Sequence, residues 1–392
     1  MIQLNRIIYL KIVLATALCA ISLDASAVMQ APADRNDTVE VTLDRGAPPG
    51  EVVIFNKASG GYDTNAATKW GANSWTCQSA TDAATGACAT QPVWQPGGDS
   101  SEIRLSFKEQ KTGVTTMLSL FGYVGVARHV DCSGNIIPEE PSPLSWRIPI
   151  HASETYVSSI CANLVVFDER RLFVKILATE LKKLPSGGIW KANLHLNLRQ
   201  WISGSAGSPT IATFRAAITL NTTDKNNIQI YLPEFTAATP TVDLKLRRQS
   251  NGSRLSGLSN VDMCLYDGYN SQSTWFKVSA SDGLSISQRD GGSYSVLLDS
   301  DKSGAYASRV DYNVSLTYAG KKIALSNGET VQLQGVNNSA GRSVSLPGIS
   351  VPVICTPVPL TLETPEFQSV WKRPGKYSGN LRITFSPSSA NL

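Results

Sequence analysis

Three histidines, His129, His151 and His195, are the only imidazoles in the chain, and no catalytic motif accompanies them. There is no G-x-S-x-G, no H-E-x-x-H and no P-loop, and no G-x-G occurs among 30 glycines. Nucleophile elbows, helical zinc sites and phosphate cradles each require one of those spacings. His195 falls on the polar face of an alternating run and reads as a surface residue. Glu139-Glu140 precedes Pro141 and Pro143 in a loop. A glycosidase needs two carboxylates brought together in space, whereas an acidic pair in a loop is ordinarily solvated. Asp267-Gly268 lacks the spaced acidic ligands that would make a calcium loop. The residues thus support no enzyme, metal or cofactor, and a net charge of +4 does not point to nucleic acid.

The chemistry that the spacing does support is oxidative. Arg6 and Lys11, the apolar run Ile12 to Leu23 and the site Ala25-Ser26-Ala27 read as a secretory signal over residues 1–27. That run is shorter than the ~20 apolar residues a membrane span needs. Cys19 leaves with the signal, and Cys77, Cys88, Cys132, Cys161, Cys264 and Cys355 remain. An even set in an exported chain, with no C-x-x-C, argues for disulfides. Several pairings are open; the economical one is Cys77–Cys88, Cys132–Cys161 and Cys264–Cys355.

The elements that must carry these residues are strands. Val39, Val41 and Leu43 alternate with polar neighbours, as do Ile103, Leu105 and Phe107. Leu194, Leu196 and Leu198 are followed, across a Gly/Ser-rich loop at 203–209, by Phe214, Ala216, Ile218 and Leu220, which is a long hairpin. A polar knot, Asn221 to Asn227, nearly bisects the exported chain. It places a linker at residues 223–225, between domains at 28–222 and 226–392. Beyond it, Ile228, Ile230 and Leu232 restart the alternation, then Val242, Leu244 and Leu246, and later Val314, Leu316 and Tyr318. Phe167 to Leu184 is the one plausible helix, although Leu172, Val174 and Ile176 within it also alternate; Arg170-Arg171 reads as a solvated basic face. Short strands between Gly, Asn, Asp and Ser clusters predict an all-β chain of two tandem β-sandwich domains. The last strand, carrying Tyr377, Gly379, Leu381, Ile383 and Phe385 on one face, needs a neighbour, and if this chain supplies none, another must.

At the level of motifs, TTDKNNIQIYLPEF (Thr222 to Phe235), NVDMCLYDGYNSQS (Asn260 to Ser273), LPGISVPVIC (Leu346 to Cys355) and GKYSGNLRITFSPSS (Gly375 to Ser389) closely resemble the tip subunits of class 5 fimbriae. These are the two-domain, CblD-like initiators of the alternate chaperone/usher pathway. SGGIWKANLHLNL (Ser186 to Leu198) matches too, and the likeness is weaker before Lys182. The resemblance implies immunoglobulin-like folds: an adhesin domain, then an incomplete pilin domain lacking one strand. It implies a periplasmic chaperone, an outer-membrane usher and a major pilin subunit that donates a strand, with passage through the periplasm to the fimbrial tip. The groove candidates are Ile228, Ile230, Leu232, Leu381, Ile383 and Phe385.

Colonization-factor adhesins of this family place an arginine pair where this chain has Gln200 and Trp201, and a further arginine where it has Ala72. The receptor site implied here is therefore Lys69, Arg199, Gln200 and Trp201. An aromatic-plus-basic surface of that kind suits a host glycan, through ring stacking and charge-assisted hydrogen bonds. The alternatives are an assembly initiator that binds no receptor and, further off, a secreted glycan-processing enzyme.

Overall fold

A computed structural model of the protein describes residues 30–62, 70–71, 73–94, 97–130, 136–137, 147–152, 169–200, 208–237, 239–250 and 252–392. The signal segment, Lys69, Trp201, Glu139-Glu140 and the Cys132 and Cys161 pair lie outside the described residues.

In the first half, the strands are β1 (Arg35–Asp44), β2 (Glu51–Ser59), β3 (Asn73–Cys77), β4 (Ser101–Glu109) and β5 (Thr115–Val130). Then follow β6 (Ile136–Ile137), β7 (Arg147–Pro149), β8 (Glu169–Leu177), β9 (Gly188–Gln200) and β10 (Thr210–Thr223). They run in the order β1-β10-β9-β4-β5-β8-β2, with β3 on β9 and both β6 and β7 on β5. β4 and β9 share only two register pairs, Lys108–Lys191 and Glu109–Trp190, so the path turns a corner there and folds into a sandwich. Phe214 of β10 meets Phe55 of β2 edge-on across the interior, with ring centroids 5.9 Å apart, and Trp75 of β3 at 5.6 Å. The alternating residues fill this core: Ile103, Leu105, Phe107, Leu196, Leu198 and Leu220 have no exposure at all.

Two expectations fail here. The helix expected at 167–184 is mostly β8, held between β5 and β2, with Leu172, Val174 and Ile176 fully buried; among its described residues only Ala178–Leu181 is helical. The period of two, once flanking strands can pair with it, overrides helix propensity. Arg170 is not solvated: it is 6% exposed and donates from Nη1 to the carbonyls of Asn73 (2.9 Å) and Ala152 (3.2 Å).

In the second half, one sheet is built from β12 (Arg247–Arg248), β13 (Arg254–Val261), β16 (Tyr294–Leu298), β17 (Arg309–Tyr318), β18 (Lys321–Ala324), β22 (Leu360–Gln368) and β23 (Tyr377–Ser378). Its order is β12-β13-β22-β17-β16-β23, with β18 folded back on β17. The facing sheet is β19 (Thr330–Gln334), β15 (Trp275–Ser281) and β24 (Arg382–Pro387), in that order. Between the sheets lie Phe276, Val278, Leu316, Leu325 and Leu333, all nearly unexposed. Beside the first domain, β11 (Gln229–Tyr231), β14 (Cys264–Tyr266), β21 (Val353–Pro357) and β20 (Arg342–Val344) form a small sheet around the Cys264–Cys355 bridge. Cys77 and Cys88 are bridged in the first domain. The β17–β18 turn shows local sequence at work: Ala319 and Gly320 both have positive φ, 49° and 76°, as a two-residue hairpin turn requires.

The terminal run is not one strand. Tyr377–Ser378 pairs with β16 in one sheet and Arg382–Pro387 with β15 in the other. The chain crosses at Gly379, where a Cβ would lie 3.1 Å from the Ser295 carbonyl and 3.2 Å from Val296. A glycine passes there and a side chain would push the crossing open. Within the polar knot Thr222, Thr223 and Asp224 are almost completely buried, while Lys225 and Asn226 are exposed.

Candidate functional site

β24 is bonded on one edge alone. Its register runs from Phe276–Pro387 to Ser281–Arg382 along β15, and no strand pairs with its other edge among the described residues. The segment after β11 is equally unattached: the described residues of 232–246 belong to no ladder, and pairing resumes only at Arg247–Arg248. Yet residues 241–245 of the one and 381–386 of the other alternate half-buried apolar with exposed polar residues. Ile230 of β11 with Leu232, Phe235, Val242 and Leu244 of the segment after it, and Leu381, Ile383 and Phe385 on the other segment, pack against the same core without being covered by it. Phe385 meets Phe276 edge-on at 4.8 Å. This is a half-covered apolar surface bordered by backbone that no ladder pairs, the arrangement that sheet proteins otherwise avoid exposing.

Of the expected groove residues, Ile230, Leu232, Leu381, Ile383 and Phe385 lie on that shared core, whereas Ile228 sits against Gly268 near the first domain. Phe235, Val242 and Leu244 line it as well. The alternation of Val242 and Leu244 is visible in the sequence, but it reads there as an ordinary paired strand; Phe235, after Pro233, carries no period at all.

The trough ends against ordered polar structure at both ends. Near its start, burial pushes the Asp282 carboxyl up, but hydrogen bonds from Asn327, the backbone N–H groups of Leu284 and Ser295, and Arg289 outweigh it and hold the pKa below the ordinary value. At its close, Ser389 Oγ donates to the Asp267 carbonyl (2.7 Å), and Lys225 Nζ to the Leu392 carbonyl (2.7 Å). The Asp267 carboxylate accepts the N–H groups of Tyr269, Ser271 and Ser273, so it organises its own loop. That loop also meets the first domain: Asn270 Nδ2 donates to the Gly187 carbonyl at 2.7 Å, and Lys111 Nζ to the Ser271 carbonyl at 2.6 Å.

On the first domain, Arg199 stands at the end of β9, donating from Nη1 to Thr210 Oγ1 and from Nη2 to Gln91 Oε1, each at 3.1 Å. Its Nε is buried with no partner among the described residues. Gln200 follows in register with Asn73 of β3. Lys69 and Trp201, the other expected receptor residues, are outside the described residues. Val93 and Trp94, 46% and 47% exposed, lie just along the chain from Gln91. His195 is half-buried on the outward face of β9, and desolvation lowers its pKa.

The comparisons with known proteins agree over both halves. A family model for the first domain of the CFA/I fimbrial subunit CfaE matches residues 24–225, and one for the second domain of CfaE matches residues 228–389. A curated relative, the CfaE protein of CFA/I fimbriae from Escherichia coli, is 32% identical over 330 residues, 81% of this chain and 81% of that one. The crystal structure of CfaE, the adhesive component of CFA/I fimbria of enterotoxigenic Escherichia coli, superposes with a TM-score of 0.71 at 27% identity, over 91% of this chain and 93% of that one. A structure described as a chaperone–tip adhesin complex in CFA/I fimbriae biogenesis superposes with a TM-score of 0.65 at 28% identity, over 92% and 98%.

Proposed function

The chain belongs to the CfaE family of class 5 fimbrial tip adhesins, and from that premise we propose that it starts a fimbria by accepting a strand from the next subunit. The family is one of adhesins rather than enzymes. The observation that carries the proposal is the unpaired edge of β24, whose partly buried apolar residues share one core with those of the unladdered segment 232–246. The first domain supports it from within the same chain. There β10 lies between β9, which it pairs with antiparallel, and β1, which it pairs with in parallel. In the second domain β24 and segment 232–246 stand like β9 and β1, with no counterpart of β10 among the described residues. A donated strand would satisfy both banks by hydrogen bonds, and its alternating apolar residues would fill the trough. Each such side chain contributes ~1.5–3 kcal/mol on full burial.

On this reading a periplasmic chaperone holds the trough first, an usher passes the subunit outward, and the major pilin takes the chaperone's place. The first domain, residues 28–222, is joined through 223–225 to the pilin domain, 226–392. It carries the receptor site, for a host-surface glycan, around Arg199 and Gln200 with Lys69 and Trp201. Gln200, where relatives resembling this chain carry an arginine, favours a second reading: an initiator that binds no receptor. Binding of the intact protein to a glycan array separates the two.

The test of strand acceptance is a chain extended at Leu392 by a short linker and a donor segment from the major pilin. Its second domain should melt well above that of the unextended chain. Equal melting of the two would remove the proposal.

A further inference from the structure

Residues 239–246 reach the core of the second domain by crossing one of its strands. Arg247 and Arg248 of β12 lie beside β13, paired with Ser256 and Leu255, and both are exposed. Three residues before Arg247, Leu244 is half-buried on the core that Leu381, Ile383 and Phe385 also border. The passage between them runs over Gly257. Ser259 and Val261, in the same alternation as Gly257, are buried, so a side chain at 257 would point into the sandwich. A Cβ there would collide with the Leu244 carbonyl oxygen and come 3.0 Å from Leu246 Cδ2. Any residue but glycine closes this passage.

The turn into the crossing is made by Asp243 and Lys245. Lys245 has φ 52°, the left-handed region that a lysine enters at a cost. Its N–H donates to Asp243 Oδ1 at 2.8 Å, which closes the turn through a side chain. Strain of this kind persists only where the surroundings impose it. A straight path stands open beside it. β13 pairs with β22 from Gly257 to Val261, while its other edge beyond Ser256 meets no strand among the described residues. Leu258, on that stretch, is 54% exposed. The register of β12, if continued, would set Leu246 opposite Gly257, Lys245 opposite Leu258 and Leu244 opposite Ser259. That path would bond more backbone. It would also join residues 239–246 to the sheet of β13, whereas β24 belongs to the facing sheet.

We propose that Gly257 and the Asp243–Lys245 turn are positioning residues for strand acceptance. They divert residues 239–246 from the free edge of β13 and hold Val242 and Leu244 on the core that β24 borders. The inference rests on the strand-acceptance reading and deepens it. The segment has two seats, crossed or along β13, and the crossed one leaves its backbone available to an incoming strand. Apparent affinity for a donor is then the intrinsic affinity scaled by the fraction of chains in the crossed seat. Gly257 keeps that seat sterically open, and the Asp243 carboxylate offsets part of the cost of left-handed Lys245. The terminal run uses the same device, passing at Gly379 from β23 in one sheet to β24 in the other beneath the Ser295 carbonyl. Both segments that border the half-covered surface thus enter it over a glycine.

The test uses the full chain and a donor peptide from the major pilin, and it reads peptide affinity and amide exchange. Gly257→Ala should block the crossing, and Lys245→Val should place a β-branched residue where left-handed backbone excludes it. Each should bind the peptide about ten-fold more weakly or worse, the loss expected when nine-tenths of the chains leave the crossed seat. In both, amides on the free edge of β13 at residues 258–261 should gain protection before peptide is added. The loss should be absent in Lys245→Gly, which adopts that backbone freely. Asp243→Ala should weaken binding about three-fold, as removal of one hydrogen bond does, and adding Lys245→Gly should restore it. Unchanged binding by both Gly257→Ala and Lys245→Val overturns the positioning role. So does weaker binding with no gain at 258–261, which a merely loosened fold would give. Should either variant fail to fold, Asp243→Ala decides, and no loss, or a loss that Lys245→Gly does not restore, overturns the role. Failure of the unaltered chain to bind the peptide removes strand acceptance itself, and the positioning role with it.

Discussion

In the first domain the last strand, β10, is bonded along one edge to β9 and along the other to β1, and Phe214, Ala216, Ile218 and Leu220 are at most 1% exposed. In the second, the last strand, β24, is bonded among the described residues to β15 alone, and Leu381, Ile383 and Phe385 remain half-buried. The two domains share a sandwich plan and differ in whether the slot between first and late strands is filled. A filled slot gives a surface that tolerates water on all sides. An open one leaves apolar side chains half-covered and an edge of backbone groups with which another strand can pair. Closure is thus a local property of one edge, and on the proposed function it separates the half that recognises from the half that assembles.

The largest expected effect sharpens that contrast. Phe214→Ala, in the closed slot against Phe55 and Trp75, should cost the first domain about 3–5 kcal/mol, read by denaturant unfolding with or without a donor peptide. Phe385→Ala should cost the unoccupied second domain clearly less, because its ring is only partly covered. Its cost should grow once a donor strand is bound, and an equal cost in both states would mean the trough is already closed.

A smaller effect concerns how far the two halves unfold together. Lys111→Met removes the bonds from Nζ to the carbonyls of Ser271 and Asn337, a loss of about 1–3 kcal/mol for two such hydrogen bonds. Calorimetry should show the single domains unchanged and their transitions moved apart.

The smallest is a pH dependence confined to the open domain. Burial lowers the Lys372 pKa to about 8 from 10.5. Between those values the unfolded chain holds the proton that the folded chain has released, so stability rises with pH across that window. Lys372→Met should flatten the rise, and an unchanged slope would count against the packing of Lys372 on Tyr306.

Much of this was legible in the alternation. The hairpin of β9 and β10 and the strand β4 follow from a period of two and from punctuation. What was not legible depended on neighbours. Nothing in the run Tyr377 to Phe385 says that it changes sheets at Gly379, since both halves keep the same period. Arg170 looks like any surface arginine until the carbonyls of Asn73 and Ala152 close on it. Val242 and Leu244 alternate as paired strands do, and only the ladder pattern shows that the pairing is missing. The site was hidden for the same reason: an empty slot has no residues of its own.

Amide hydrogen exchange on the full chain, alone and with a donor peptide from the major pilin, tests the central claim most directly. Alone, β10 should be protected throughout, while β24 retains fast-exchanging amides along its outer edge and residues 232–246 exchange freely. With peptide, β24 and residues 232–246 should gain protection together, leaving β10 unchanged. Protection of β24 equal to that of β10 in the chain alone, or no gain on adding peptide, would contradict the account.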